Sequence, residues 1–200
     1  YFGVDAFRYY FLRAIPFGSD WSFSWEDMQA RYTSELANDF GNLASRLSAM
    51  VEKYCGGILP PVSHDVGLES TLVATVVKAD EAMCNLDFQD GIVAILEFCK
   101  RVNGYITEQE PWILAKDPNK KAQLEGVLYN TAESLRALAV LFNSVMPATC
   151  EILWESLGAN KSIGALKDQR IDFVSKWGQL PAGSLVTKSA ILFPRLETHA

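Results

Sequence analysis

Up to Gly158, apolar residues recur at three- and four-residue steps, the spacing of helices that each bury one face. The strongest set is Leu36, Phe40, Leu43, Leu47 and Met50, inside a helix predicted over about 25–54. Ser24 is its expected N-cap with Asp27 as capping partner, and Gly56-Gly57 stops it. A first helix is predicted over about 4–15, with Asp5 near its start, an apolar stripe of Phe7, Tyr10, Phe11, Ala14 and Ile15, and Pro16 as its end. The aromatic loop 16–23 between these two helices reads as a packed corner. After Pro60-Pro61 and a surface loop with a lone, solvated His64, a third helix spans about 68–86 through Leu72, Val76, Val77, Ala79 and Met83. Asp87 to Asp90 caps a fourth, which runs through Ile92, Ile95, Cys99, Val102 and Ile106 until Pro111 intervenes. A fifth covers about 120–146 through Leu124, Leu128, Leu135, Leu138 and Phe142, and a last one lies near 148–157 with Ile152 and Leu153. No segment before Gly158 alternates as a half-buried strand does. The fold class is therefore all-α, an antiparallel helix bundle whose short connections join sequential neighbours.

Residues 159–200 change character. Glycine and proline punctuate them, and only 189–193 could pass for a short strand. This irregular C-terminal tail has too few apolar residues for a core of its own and is expected to lie across another part of a longer protein. The chain also starts at Tyr1 directly in a helical pattern, so it reads as a piece of something longer.

Composition narrows the classes of function. With 49% apolar and 21% charged residues the chain can bury a full core. A net charge of -6 argues against coating nucleic acid by charge alone but leaves room for a local site that grips a few bases. Cys55, Cys84, Cys99 and Cys150 are scattered, without a Cys-x-x-Cys pair, and the histidines are His64 and His199. That pattern suits reduced intracellular thiols and no metal site. No apolar run approaches the roughly 20 residues of a membrane span, and no signal peptide is visible. A phosphate-cradling glycine loop and a nucleophile elbow are also missing, and pairs such as Glu108 with Glu110 or Glu26 with Asp27 read as helix-end charges. No catalytic residue is expected. The chain binds or it supports.

Two stretches carry candidate binding chemistry. Asn38, Asn42 and Arg46 follow one another at four-residue steps, so Asn42 and Arg46 can meet one small planar ligand. Asparagine donates and accepts, while arginine offers a rigid fork of donors, a combination that suits a nucleobase edge or a carboxylate. The plainer alternative is a solvated helix face on which Arg46 pairs with an acid such as Asp39. In the second stretch, 103–112, Pro111 breaks a helix and Trp112 emerges at the break, either as a core plug or as a stacking platform. Lys116, Lys120 and Lys121 follow as a local positive run, candidates for RNA-backbone contacts.

Four segments, in order, resemble the methionyl-tRNA synthetases, a class I aminoacyl-tRNA synthetase family. Residues 3–13 with Ile15-Pro16-Phe17-Gly18-Ser19-Asp20 look like the segment just after that family's Lys-Met-Ser-Lys-Ser loop. Asn38-Asp39-Phe40-Gly41-Asn42-Leu43-Ala44-Ser45-Arg46 resembles its anticodon-reading helix, and Asn103 to Trp112 resembles its Glu-Gln-x-Pro-Trp motif. Leu192-Phe193-Pro194-Arg195-Leu196-Glu197 resembles the close of the family's core.

The resemblance implies a parent enzyme that attaches methionine to its tRNA through a methionyl-adenylate, with ATP and magnesium in a catalytic domain upstream of Tyr1. It implies residues 1–24 as a junction after that domain, 25–158 as the helical anticodon-binding domain, and 159–200 as a tail packing back toward the catalytic part. A further tRNA-binding or dimerisation module, found in some relatives, is not expected in the chain. Asn42 and Arg46 would hydrogen-bond the first anticodon base, a cytosine, and Trp112 would stack on it. The implied partners are methionine tRNA at its anticodon loop and the catalytic domain of the same chain, with no DNA and no membrane, in the cytoplasm. The chain alone would need no cofactor and make no methionyl-adenylate. Two alternatives stay open: the anticodon domain of another class I synthetase, and a helical protein-interaction module without any RNA role.

Overall fold

In the computed structural model, which describes residues 2–18, 20–188 and 191–196, helix follows helix. The order is α1 (Val4–Ala14), α2 (Trp25–Arg31), a π-helix (Tyr32–Gly41), α3 (Asn42–Cys55), α4 (Val66–Cys84), α5 (Phe88–Gln109) and the one-turn α6 (Pro111–Leu114). Then come α7 (Lys121–Phe142), α8 (Pro147–Ser156) and the short α9 (Ala159–Ser162) and α10 (Ile171–Val174). Among the described residues the only β-type pairing is an isolated antiparallel bridge between Ile58 and Leu185. None of the described helices is long and apolar enough to cross a membrane.

The helix predicted over 25–54 is continuous, but its middle ten residues are wound as a π-helix. Ser24 caps it by accepting from the Asp27 backbone N–H at 3.1 Å, whereas the Asp27 carboxylate turns to Arg31 at 2.9 Å instead of completing the box. The wider winding accompanies a buried charge. Glu35, on the π-helix, accepts from the Tyr9 hydroxyl at 2.6 Å and from Arg13 at 3.1 Å, both on α1, with Arg31 3.5 Å away. The Asp5 expected to serve α1 serves α8. Its carboxylate accepts from the Thr149 N–H at 2.6 Å, neutralising the positive end of a helix 144 positions later. Asp87 occupies the N-cap position of α5 without a side-chain bond, and His64, exposed as expected, is paired with Glu69 at 2.8 Å rather than alone. The rings of the aromatic corner do meet, with Tyr10 edge-on to Trp21 and Phe23 edge-on to Trp25 at centroid distances of 5.4 and 4.6 Å, but Phe17 and Trp25 remain exposed, so the corner is only partly packed.

Helix α7 is the axis of the bundle, buried along most of its length from Leu124 to Phe142. It is lined with small residues such as Ala132, Ser134, Ala137 and Ala139, which let neighbours approach on all sides. Two full charges sit inside it: Glu133 is 0% and Arg136 1% exposed. Their Arg Nε to Oε1 distance is 2.8 Å. The rest of their hydrogen-bonding capacity goes to the C-terminal tail. Glu133 accepts from the Gln179 and Leu180 N–H groups at 3.0 Å each, and Arg136 donates to the Val174 carbonyl at 2.8 Å.

The tail therefore lies across this chain's own bundle, a docking that its irregular sequence did not indicate. Tyr129 donates to the Leu180 carbonyl, Leu59 and Ser184 pair, Val186 donates to the Gly57 carbonyl, and Thr187 donates to the Ser156 carbonyl, all within 2.9 Å. Gly158 is needed where the tail crosses, because a Cβ there would stand 2.5 Å from the Leu185 carbonyl oxygen. Further on, Phe193 is buried against Phe40 and Tyr32, and the Tyr32 hydroxyl donates to the Pro194 carbonyl at 2.9 Å. Of the predicted strand 189–193, positions 189 and 190 lie outside the described residues, and 191–193 form no ladder.

These burials set an alkaline limit. Burial, followed by the charge of Glu35, raises Tyr9 well above its ordinary 10.0, and burial raises the Cys150 thiol well above 9.0. Burial also raises Tyr129 and Cys99. Each group holds its proton more tightly folded than unfolded, so its contribution is whole below the unfolded pKa and is lost as pH rises toward the folded one. Urea midpoints are expected to stay level up to pH about 8 and to fall as pH passes about 9–10. A midpoint unchanged through that range would contradict these assignments.

Candidate nucleic-acid interface

The reading helix is oriented by what it buries. Phe40, Leu43, Leu47 and Val51 are essentially inaccessible, which fixes the inner face of the π-helix and α3 and leaves Asn42 exposed and Arg46 half-buried on successive outer turns. Asn42 itself closes the last π turn, its backbone N–H bonding to the Ala37 carbonyl. Gly41, just before it, suits the wider winding: a Cβ there would stand a tight 3.1 Å from the Leu36 carbonyl oxygen, while the Phe193 ring of the tail lies at an ordinary contact distance of 3.7 Å.

Among the described residues, neither Asn42 nor Arg46 makes a side-chain hydrogen bond or ion pair. The plainer alternative, an Arg46–Asp39 pair, is not formed. Asp39 is instead held from behind, its carbonyl accepting from the Asn103 side-chain amide of α5 at 3.0 Å. Burial raises the Asp39 carboxyl, partly opposed by Lys100. The Asn103 amide also bonds the Cys99 carbonyl at 3.2 Å, so it clamps α5 to the π-helix one turn before Asn42.

Helix α5 ends where Glu110 takes up a left-handed conformation with φ 45°, and Pro111 starts α6. Pro111 and Leu114 are buried and act as the anchors of this single turn. Trp112 between them keeps 39% of its surface exposed and has no hydrogen-bond or ring partner among the described residues. It is therefore not a core plug. A rigid, half-open indole of this kind can stack on any base. Lys116 and Lys120 are exposed and unpaired, whereas Lys121 faces Glu125 at 3.5 Å, which removes one charge from the predicted positive run.

The three residues are linked through the backbone rather than to one another. No hydrogen bond or ring contact joins Trp112 to Asn42 or Arg46; the link is the Asn103–Asp39 clamp. The end of α3 reaches the same region as the start of α7. The Cys55 thiol there is raised by burial and then by the Glu125 charge, with Lys121 opposing. Sequence reasoning missed the clamp, the buried Glu35 and the tail beside Asn42, since each depends on partners from distant segments. Among the described residues, no cluster of three or more His, Cys, Asp or Glu could hold a metal ion.

Residues 1–48 match the family described as tRNA synthetases class I (M), and residues 65–176 match the anticodon-binding domain of tRNA ligase. The methionine–tRNA ligase of Streptomyces coelicolor is 59% identical over 98% of the chain, and that of Caldanaerobacter subterraneus is 40% identical over 99%. The chain spans only 38% and 31% of the length of these two relatives. Among solved structures, Mycobacterium tuberculosis methionyl-tRNA synthetase in complex with methionyl-adenylate is similar at TM-score 0.82 and 31% identity, over 97% of this chain and 38% of that one. Its apo form gives TM-score 0.79 at 30% identity, over 98% of this chain and 39% of that one.

Proposed function

The chain belongs to the methionyl-tRNA synthetase family, as part of its anticodon-binding region, and from that premise we propose that it reads the anticodon loop of methionine tRNA. The first anticodon base, a cytosine, meets Asn42 and Arg46 along its edge and Trp112 on its face. Lys116, Lys120 and Lys121 lie along the RNA backbone, with Lys121 weakest because Glu125 competes for it. The observation that carries this reading is that two donor-bearing side chains on successive turns of one helix, and a half-open tryptophan at a helix break, make no hydrogen bond, ion pair or ring contact among the described residues. Groups left free in this way are available to a ligand at no cost in broken bonds.

In the longer protein, residues 1–24 form the junction to a catalytic domain, 25–158 the anticodon-binding unit, and 159–200 the tail. That protein attaches methionine to its tRNA in the cytoplasm, using ATP with magnesium and passing through methionyl-adenylate. The M. tuberculosis relative, solved with methionyl-adenylate, supports this extension. The chain's own part is recognition, and the chemistry belongs to the catalytic domain.

The direct test is fluorescence anisotropy with a labelled anticodon stem-loop of methionine tRNA. Saturable binding by the chain is expected, and a stem-loop of the same stem with a scrambled loop should bind more weakly. Equal affinity for both loops would overturn the reading.

A further inference from the structure

Between them, the tail and the reading helix enclose a cleft of about 470 Å³ that reaches Asn42. One wall carries Asn38, Asn42, Ser45 and Ser48 from successive turns, and the other carries Lys188 and Arg195 from the tail. Among the described residues no carboxylate lines it, although the chain as a whole has a net charge of -6. Neither Lys188 nor Arg195 has a hydrogen-bond or ion-pair partner among the described residues. Both nevertheless follow anchored backbone. Thr187 is bonded to the Ser156 carbonyl at 2.8 Å, and Pro194 accepts from the Tyr32 hydroxyl at 2.9 Å beside the buried Phe193. Two free cations thus stand opposite the amides of Asn38 and Asn42 and the Ser45 hydroxyl, over a floor made apolar by Ala37, Ile191 and Phe193, at a helix that already exposes the proposed base reader.

We propose that this cleft holds the RNA backbone phosphate flanking the base read by Asn42; the proposal rests on the anticodon reading above. Arginine forks match phosphate oxygens, and the Asn38 and Asn42 amides and the Ser45 hydroxyl add donors, whereas the Ser48 hydroxyl is spent on the Ser45 carbonyl at 3.1 Å. Phosphate contacts fix register and carry no sequence information, whereas base contacts select. The cleft therefore sets where the base arrives, and Arg46 sets which base is accepted. Because the tail supplies the cations, the docking of the tail on the bundle becomes part of RNA binding.

The test is the salt dependence of stem-loop binding for the wild type and for Lys188→Gln and Arg195→Gln, with Lys78→Gln, whose lysine faces Glu97 at 3.7 Å on the surface, as control. Each cleft variant is expected to weaken cytosine-first and uracil-first stem-loops several-fold and by the same factor. Each should also lower the slope of log affinity against log salt by about 0.7, the value for one lost single-strand phosphate contact. The control should leave the slope unchanged, and urea midpoints should confirm that these surface variants fold. If the slopes and affinities of the cleft variants match the wild type while Arg46→Gln still changes base preference, the cleft proposal is overturned and the anticodon reading stands. If Arg46→Gln and Trp112→Ala are also without effect, both fall. Protection of the cleft by inorganic phosphate, with stem-loop binding unaffected by the cleft variants, would assign the cleft to a free anion and overturn the RNA assignment.

Discussion

Glu133→Ala is expected to lower the folding free energy of the chain by about 3–5 kcal/mol, the scale for breaking a buried ion pair from one side. The magnitude follows from what is stranded. Arg136, 1% exposed, would lose the carboxylate at 2.8 Å and remain as a buried charge with only carbonyl partners. The N–H groups of Gln179 and Leu180 would lose their acceptors in the same step. Glu133→Gln is not a mild substitute, because both carboxylate oxygens accept and an amide must turn its NH2 toward one of these donors. Native domains hold only about 5–15 kcal/mol in total, so the alanine variant should sit near the edge of folding. Urea denaturation gives the free energy, and limited proteolysis tests the mechanism: cleavage should concentrate in the tail after Val174. A loss below about 1 kcal/mol would mean that the pair contributes no more than an exposed one.

The buried pair also marks where the sequence stopped being legible. Helices α1, α4, α5, α7 and α8 were readable to within a few residues, because each buries one stripe at helical spacing and is ended by proline, glycine or a short polar turn. Glu133 and Arg136 stand three apart and resemble an ordinary surface pair. Their burial follows from the small residues around them and from a tail that closes over them some 40 positions later. The π-helix was hidden for a related reason. Over ten residues Leu36, Phe40 and Leu43 satisfy an α-helical period, and the features that accompany the wider winding, Glu35 under Tyr9 and Asn103 on Asp39, come from α1 and α5. The docking of the tail on the bundle was hidden because its buried residues, Leu166, Val174, Leu180, Val186 and Phe193, are too far apart to form a periodic pattern. At the candidate site, spacing alone could show that Asn42 and Arg46 share a face. It could not show that Asp39 and Arg46 would form no ion pair, nor that Pro111 and Leu114 would take the buried positions and leave Trp112 partly in the open.

Two substitutions at that site should separate affinity from choice. Cytosine presents acceptors at O2 and N3, whereas uracil carries a hydrogen on N3. Arginine has donors only, so Arg46 can pair with the cytosine N3 or O2 edge but meets a facing hydrogen at uracil N3. Asn42 can donate or accept, and it orients the base more than it selects it. Trp112 offers a ring face, which every base can match. Trp112→Ala is therefore expected to weaken cytosine-first and uracil-first stem-loops equally, by about 1–3 kcal/mol. Arg46→Gln is expected to shrink the difference between the two by about 1–3 kcal/mol, the usual scale of a specific base contact. Arg46 makes no hydrogen bond or ion pair among the described residues, so Arg46→Gln should change the folding free energy by no more than about 0.5 kcal/mol. Trp112, only 39% exposed, buries much of its ring, so Trp112→Ala should also lower stability, and its binding is compared under conditions where both proteins are folded. The measurement is a pair of anisotropy titrations for each variant, repeated as aminoacylation of cytosine-first and uracil-first transcripts by a full-length enzyme carrying the same substitution. An Arg46→Gln protein that keeps the whole cytosine preference would remove Arg46 as the reader. A Trp112→Ala protein that loses affinity for only one of the two bases would show that the tryptophan does more than stack.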